Sequence, residues 1–194
     1  MSNSSDQNRL RALEAARDVF ARYGFQRAGM ADIAREAGVS RPALYVWFDN
    51  KAALFKALAE HLKDEALTGA REAWRDDVDF TTNLEATILA KDLTFFRLLH
   101  ASPHGAELMA VDATVTATIA AAMDAGFAAI LAERAEILVE QGVLDLRGFG
   151  DVGDFGRTVA LLASGVKHEV RDEAGYRAGL RALCRLVAHA TARL

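Results

Sequence analysis

The stretch Met30–Lys51, MADIAREAGVSRPALYVWFDNK, decides how the chain is read. Met30, Ile33, Ala34 and Ala37 follow the i, i+3, i+4, i+7 spacing that puts apolar side chains on one helix face, with Asp32, Arg35 and Glu36 on the other. Asp32 also lies in the first turn, where the helix dipole favours a carboxylate. Gly38 ends this helix, because glycine enters the left-handed conformation without a Cβ clash. Val39 plugs the turn. Ser40 is an N-cap residue, and Pro42 sits in the first turn of the next helix, where its missing N–H costs little. Leu44 and Phe48, four apart, face inward, which leaves Arg41, Ala43, Tyr45 and Trp47 with outward components.

Two short helices joined through a glycine turn match a helix-turn-helix, and they equally match an αα-corner in an ordinary helical protein. Two features favour the first. The second helix is too short to need both Tyr45 and Trp47 outward for stability. Arg41 stands at its N-terminal end, where a recognition helix presents side chains to base edges.

With its flanks, the stretch resembles the N-terminal domain of the TetR-type bacterial transcriptional regulators. Ala15-Ala16, Phe20, Tyr23-Gly24-Phe25, Asp32-Ile33-Ala34, Ala37-Gly38-Val39-Ser40, Leu44-Tyr45, Phe48 and Lys51 stand in the family's order and spacing. The resemblance implies an all-α fold: an N-terminal helix-turn-helix domain over residues 1–50, joined by a shared helix to a helical ligand-binding and dimerisation domain over 51–194. It implies DNA contacts from Ser40, Arg41, Pro42, Ala43, Tyr45, Trp47 and Lys51, with Arg41 reading a base and Lys51 a phosphate. Two departures stand out. Ala28-Gly29 replaces the family's usual Thr-Ser, so Gly29 must cap the first helix and one hydroxyl contact to DNA is missing. Trp47 stands where histidine is commoner, and its indole suits either DNA or the next helix.

Composition agrees with a helical protein. Of 194 residues, 52% are hydrophobic, enough to form a core, and Pro42 and Pro103 are the only prolines. The net charge of −4 is uneven: residues 1–60 hold nine Lys or Arg against seven Asp or Glu, while residues 61–194 hold fourteen against twenty. The basic surplus thus lies with the helix-turn-helix. The one cysteine, Cys184, lies among apolar residues and reads as a buried structural thiol. The polar Met1–Asn8 has no apolar signal region, and no apolar run reaches the ~18 residues of a membrane span. The expectation is a cytoplasmic protein with no membrane partner.

Along the chain, residues 1–8 read as a loose arm and a first helix runs to Tyr23, with Leu10, Leu13 and Phe20 in its buried stripe. Arg9, Arg11 and Arg22 are phosphate candidates. A helix from Lys51 to about Ala73 is shared by both domains. An acidic loop at 76–79 precedes a helix over 81–100 that is apolar nearly all round. A short helix to about Ala113, a long one over 112–141, a glycine-rich connector over 148–156 and helices over 155–170 and 173–193 complete the pattern. The resemblance implies that the C-terminal pair joins a second subunit's pair in a four-helix bundle, through Phe155, Val159, Leu162, Ala163, Val166, Tyr176, Leu180, Leu183 and Val187.

The body is expected to bind a small apolar or aromatic effector among Phe95, Phe96, Leu99, His100, Met109, Met123 and Phe127. His100 and His104 are four apart, but Ser102-Pro103 interrupts a shared helix, so no metal site is read and no cofactor is expected. No nucleophile–base order or carboxylate pair points to an enzyme. The chain therefore reads as a homodimeric regulator, a repressor released from a palindromic operator by its effector. The alternative is a helical sensor or interaction module of the same fold that binds no operator.

Overall fold

The computed structural model describes residues 2–170 and 172–192, apart from the side chains of residues 2, 3, 94, 97–101 and 168. Among the described residues the chain forms nine α-helices: α1 (Ser2–Arg27), α2 (Met30–Ala37), α3 (Arg41–Trp47), α4 (Lys51–Glu72), α5 (Phe80–Ala101), α6 (Gly105–Ala110), α7 (Ala113–Glu140), α8 (Val152–Glu169) and α9 (Glu173–Ala190). They form two compact units. The first comprises Met1–Asp64 and Phe95–Ile119, the second Glu65–Thr94 and Ala120–Leu194.

In the first unit, α1 buries Ala12, Leu13, Ala16, Val19 and Phe20 against Ile33, Ala34, Leu44, Phe48, Leu54 and Leu58. Each large apolar side chain removed from water contributes roughly 1.5–3 kcal/mol. Phe20, Phe25 and Phe55 form a triangle of rings with centroids 5.4–5.8 Å apart. Two expectations change. Residues 2–8 are helical and not a loose arm, since extending a packed helix by a turn is far easier than nucleating one. Leu10 is 40% exposed and lies off the buried stripe. α1 breaks at Gly24, whose φ of 77° and ψ of 166° are not helical. The short α6 docks on that break: Ser102 Oγ donates to the Ala21 carbonyl at 2.9 Å, and Glu107 accepts the Gln26 N–H at 2.7 Å.

In the second unit, buried Asn83 latches the acidic loop. Its side-chain amide donates to the carbonyls of Arg75 and Val78 at 2.7 and 2.9 Å, and its carbonyl accepts the Arg75 N–H at 2.9 Å. Trp74, Phe80, Phe155 and Phe149 form a chain of ring contacts. α8 starts earlier than the glycine pattern suggests, because Asp151 accepts the Asp154 N–H at 2.7 Å and caps the helix. Asp172 caps α9 in the same way. Cys184 is fully buried, and burial pushes its thiol up to about 12.

α7 bears on the membrane expectation. Its 28 residues include an 18-residue window of mean hydropathy 1.7, long and apolar enough to cross a membrane by length and composition alone. Ten alanines spread this apolarity around the helix, so it is not a run of bulky residues. Met123, Phe127, Ile130 and Leu131 are buried inside the second unit.

Gly156 lies within α8, not in a connector, and sits where α8 crosses α7. A Cβ there would collide with the Ala128 carbonyl oxygen and lie 3.3 Å from the Ala132 nitrogen, both backbone atoms that cannot step aside. We expect Gly156→Ala to cost about 1–3 kcal/mol of stability by overpacking. Urea denaturation should show the midpoint falling, and an unchanged midpoint refutes the close approach.

Candidate nucleic-acid interface

The frame of the helix-turn-helix is fixed from inside. Met30, Ile33, Ala34 and Ala37 of α2 and Leu44 of α3 are buried, with Phe48 behind them. Gly38 adopts φ 68°, ψ 30°, the left-handed conformation that turns the chain out of α2, and its N–H bonds back to the Arg35 carbonyl at 3.2 Å. Arg11 donates to the Ala37 carbonyl at 2.8 Å and closes the C-terminal end of α2. Gly29 caps α2 from an extended conformation. It lacks a capping hydroxyl, but its N–H donates to the Asp32 carboxylate at 3.2 Å, so half of a capping box survives. The Ala28 side chain is buried in the core and cannot supply the hydroxyl of the family's threonine.

On α3, Ser40 Oγ accepts the Ala43 N–H at 3.2 Å, which caps the helix. Ser40, Arg41, Pro42 and Tyr45 are exposed and Ala43 is half-buried. The Arg41 guanidinium lies over the Tyr45 ring, 5.5 Å from its centroid, with a nitrogen 3.5 Å from the hydroxyl. The pair therefore forms one preorganised cationic and aromatic feature, one helical turn long. Val46, 81% exposed, belongs to the same outer surface and is absent from the sequence-based set. Its signal was its neighbourhood: a β-branched apolar residue beside the outward Tyr45. Trp47 packs, half-buried, against the core, as the second of the two settings open to its indole requires.

Lys51 also differs from expectation. Its ammonium donates to the carbonyls of Phe25, Gln26 and Ala28 at 2.6, 3.1 and 2.9 Å and lies over the Phe25 ring, 4.6 Å from the centroid. All three donors are spent on the carboxyl end of α1, where a cation also complements the helix dipole. Lys51 is a clamp inside the domain, not a free phosphate anchor. The arginines of α1 are partly committed too: Arg22 pairs with Glu36 at 3.4 Å, and Arg9 lies over Phe48.

The expected effector residues are divided between the units. In the first, Phe96 is buried, Phe95 packs against the core and Met109 is 46% exposed. In the second, Met123 and Phe127 are buried. Leu99 and His100 lie outside the described side chains. The expected dimer residues Phe155, Val159, Ala163, Tyr176, Leu180, Leu183 and Val187 are buried within the second unit itself, because α8 and α9 spend that face on their own core. Val166 is half-buried, and among the described side chains the large apolar ones these helices leave exposed are Leu161 at 73%, Leu162 at 42% and Leu186 at 63%.

A polar cluster in the second unit escaped sequence analysis. Asp92 on α5, fully buried, accepts the Tyr176 hydroxyl at 2.6 Å and the Lys167 ammonium at 3.0 Å, and lies 3.0 Å from the Lys91 ammonium. Burial alone would raise its pKa. The two lysines and the Tyr176 hydroxyl outweigh burial and hold it below the usual carboxylate range. Burial and Asp92 together keep the Tyr176 phenol protonated. The readable signal was a Lys-Asp pair inside a helix apolar on most of its circumference.

The role of Lys51 is separable by measurement. Lys51→Ala should lower stability by about 1.5–3 kcal/mol, the range for hydrogen bonds to a charged donor. It should leave the dependence of DNA affinity on salt unchanged, whereas loss of one phosphate contact lowers that slope by about 0.9. A stable variant with a reduced slope restores the phosphate role.

Comparison with known proteins agrees with this geometry. Residues 12–58 match the family described as bacterial regulatory proteins, tetR family. The HTH-type transcriptional activator FasR of Mycolicibacterium smegmatis is 36% identical over 104 residues, 54% of this chain and 46% of FasR. The HTH-type transcriptional regulator TtgR of Pseudomonas putida is 40% identical over 77 residues, 39% of this chain and 36% of TtgR. The chain thus matches less than half the length of these relatives. The fold similarity extends further. A transcriptional regulator from Cytophaga hutchinsonii superposes with a TM-score of 0.76 at 18% identity, covering 94% of this chain and 97% of that one. SmeT, the repressor of the Stenotrophomonas maltophilia multidrug efflux pump SmeDEF, superposes with a TM-score of 0.64 at 20% identity, covering 95% and 90%. The helix-turn-helix frame and the matched segment agree: residues 12–58 form a domain of the tetR family of bacterial regulatory proteins, and the rest of the chain shares the all-helical fold of the solved regulators.

Proposed function

We propose that the protein is a homodimeric, effector-responsive transcriptional repressor, with residues 1–50 as its DNA-binding domain and 51–194 as its ligand-binding and dimerisation domain. The observation behind this reading is the outer face of α3. A buried frame holds Ser40, Arg41, Pro42, Tyr45 and Val46 exposed on a capped helix of the dimensions that enter a major groove. Arg41 reads a base edge, Pro42 and Ala43 meet a thymine methyl, and Tyr45 and Ser40 bond the backbone. Trp47 and Lys51 support this surface from behind.

The proposed operator is a palindrome with half-sites ~34–36 Å apart or a multiple of that distance. Two copies pair through the outer faces of α8 and α9, where Leu161, Leu162 and Leu186 are exposed. A relative in fold supports the effector: SmeT forms a complex with triclosan. α4 starts in one unit and ends in the other, so a ligand that favours one setting of its C-terminal half alters the spacing of the two α3 helices. The apolar α7 serves as an inner helix of the body, and the protein works in the cytoplasm without a membrane partner.

Two outcomes test the reading by fluorescence anisotropy with duplex from upstream of the protein's own gene. Arg41→Ala should lose about 1–3 kcal/mol of discrimination at one base pair of each half-site while random-duplex affinity holds. Salt-independent or absent binding to both duplexes sinks the operator assignment and favours the sensor or interaction module. Leu161→Asp with Leu186→Asp should sediment as a monomer and bind the operator weakly; a dimer that survives both changes places the interface elsewhere.

A further inference from the structure

Thr87 and Lys91 lie four residues apart on α5, so they share one face of the helix. Both are 0% exposed; among the described residues Thr87 Oγ1 has no hydrogen-bond partner, and Lys91 Nζ has none beyond its ion pair with Asp92. A buried ammonium with unspent donors is among the least favourable groups a core can hold. Its nearest counter-charge is already occupied: Asp92 Oδ1 lies 3.0 Å from Lys91 Nζ but accepts from Lys167 at 3.0 Å, and Oδ2 accepts from Tyr176 at 2.6 Å. Asp124 on α7, half-buried, adds attraction from beyond ion-pair distance. Two ammonium groups therefore share one buried carboxylate, and Lys91, which has only that shared oxygen, keeps donors to spare.

The apolar side of the site is equally defined. Lys91 Nζ lies over the Phe127 ring, 4.6 Å from its centroid, and Met123 and Leu131, one turn to either side on α7, are buried. A carboxylate offers two coplanar oxygens, one for an ammonium and one for a hydroxyl beside it. A cationic head is repelled by Lys91 and Lys167, and a dianion brings more charge than one unspent ammonium balances. We propose that Thr87, Lys91 and Phe127 form the effector site, and that it takes an amphipathic monocarboxylate, its head on Lys91 Nζ and Thr87 Oγ1 and its apolar body against Phe127. Burial lowers the pKa of Lys91, and an arriving carboxylate favours the charged form, so binding carries proton uptake where the lysine is neutral. The inference rests on the reading of the second unit as a ligand-binding body, but not on operator binding.

Calorimetric titration of the full chain with decanoate and 4-phenylbutyrate, each beside its alcohol, tests it. At least one acid should bind saturably, one per chain, about tenfold or more tighter than its alcohol. Lys91→Met should fold, since it removes an unspent buried charge, and should lose that tenfold preference while the alcohol's affinity holds. Thr87→Val, which keeps the shape, should weaken the acid about threefold, less than one hydrogen bond to a charged group at full strength. Should Lys91→Met not fold, Thr87→Val with unchanged acid affinity overturns the proposal. So does the absence of saturable binding by either acid, equal affinity for acid and alcohol, or an acid affinity untouched by Lys91→Met. Operator binding is scored separately: its loss with acid binding intact condemns the regulator reading alone, and the reverse condemns this site alone.

Discussion

The placement of α3 depends on a closure made by a single ammonium group. Lys51 gathers the carbonyls of Phe25, Gln26 and Ala28 at the point where α1 ends and α4 begins. A helix end leaves its last carbonyls without partners, and these must be satisfied before the chain can turn toward α2. Because the group that satisfies them is the first residue of α4, the entry to the helix-turn-helix and its exit meet at one point. The Phe20, Phe25 and Phe55 rings pack beneath that point. The position of α3 thus follows from a charge-assisted closure with an aromatic floor, and the outer residues of α3 are free to serve recognition.

The second unit is built on the opposite compromise. α5 is apolar enough to be central to its core, yet it carries Thr87, Lys91 and Asp92 fully buried. Removing a lysine and an aspartate from water is tolerated only because Asp92 gains Lys167 and Tyr176 from α8 and α9. That network ties three helices together through polar contacts, where a wholly apolar core would permit several packings. A protein that only needed stability would fill this space with leucine, so a buried, incompletely satisfied cation points to a binding role.

Local chemistry explains what was legible in the sequence. The bounds of α2, the turn at Gly38 and the Ser40 cap follow from an apolar period, a glycine and a hydroxyl, all within ten residues of one another. The caps at Asp151 and Asp172 are equally local, though the glycines around the first masked it. Gly156 reads as a loop residue in sequence and as a contact residue in space, because what requires glycine there is the backbone of α7, not its own turn.

By itself, the sequence determined the helical class, the helix-turn-helix frame and the family that its N-terminal segment matches, since periodicity and capping act over a few residues. Tertiary structure decided which way the ambiguous side chains turn. It sent Trp47 and Lys51 inward, left Val46 out, spent the apolar faces of α8 and α9 on their own core and left Leu161 and Leu186 exposed. It also brought Lys167 and Tyr176 to Asp92, residues 75 and 84 positions away. Such choices depend on partners distant in the chain, and no local pattern records which carbonyl, ring or carboxylate a side chain will meet once the helices pack.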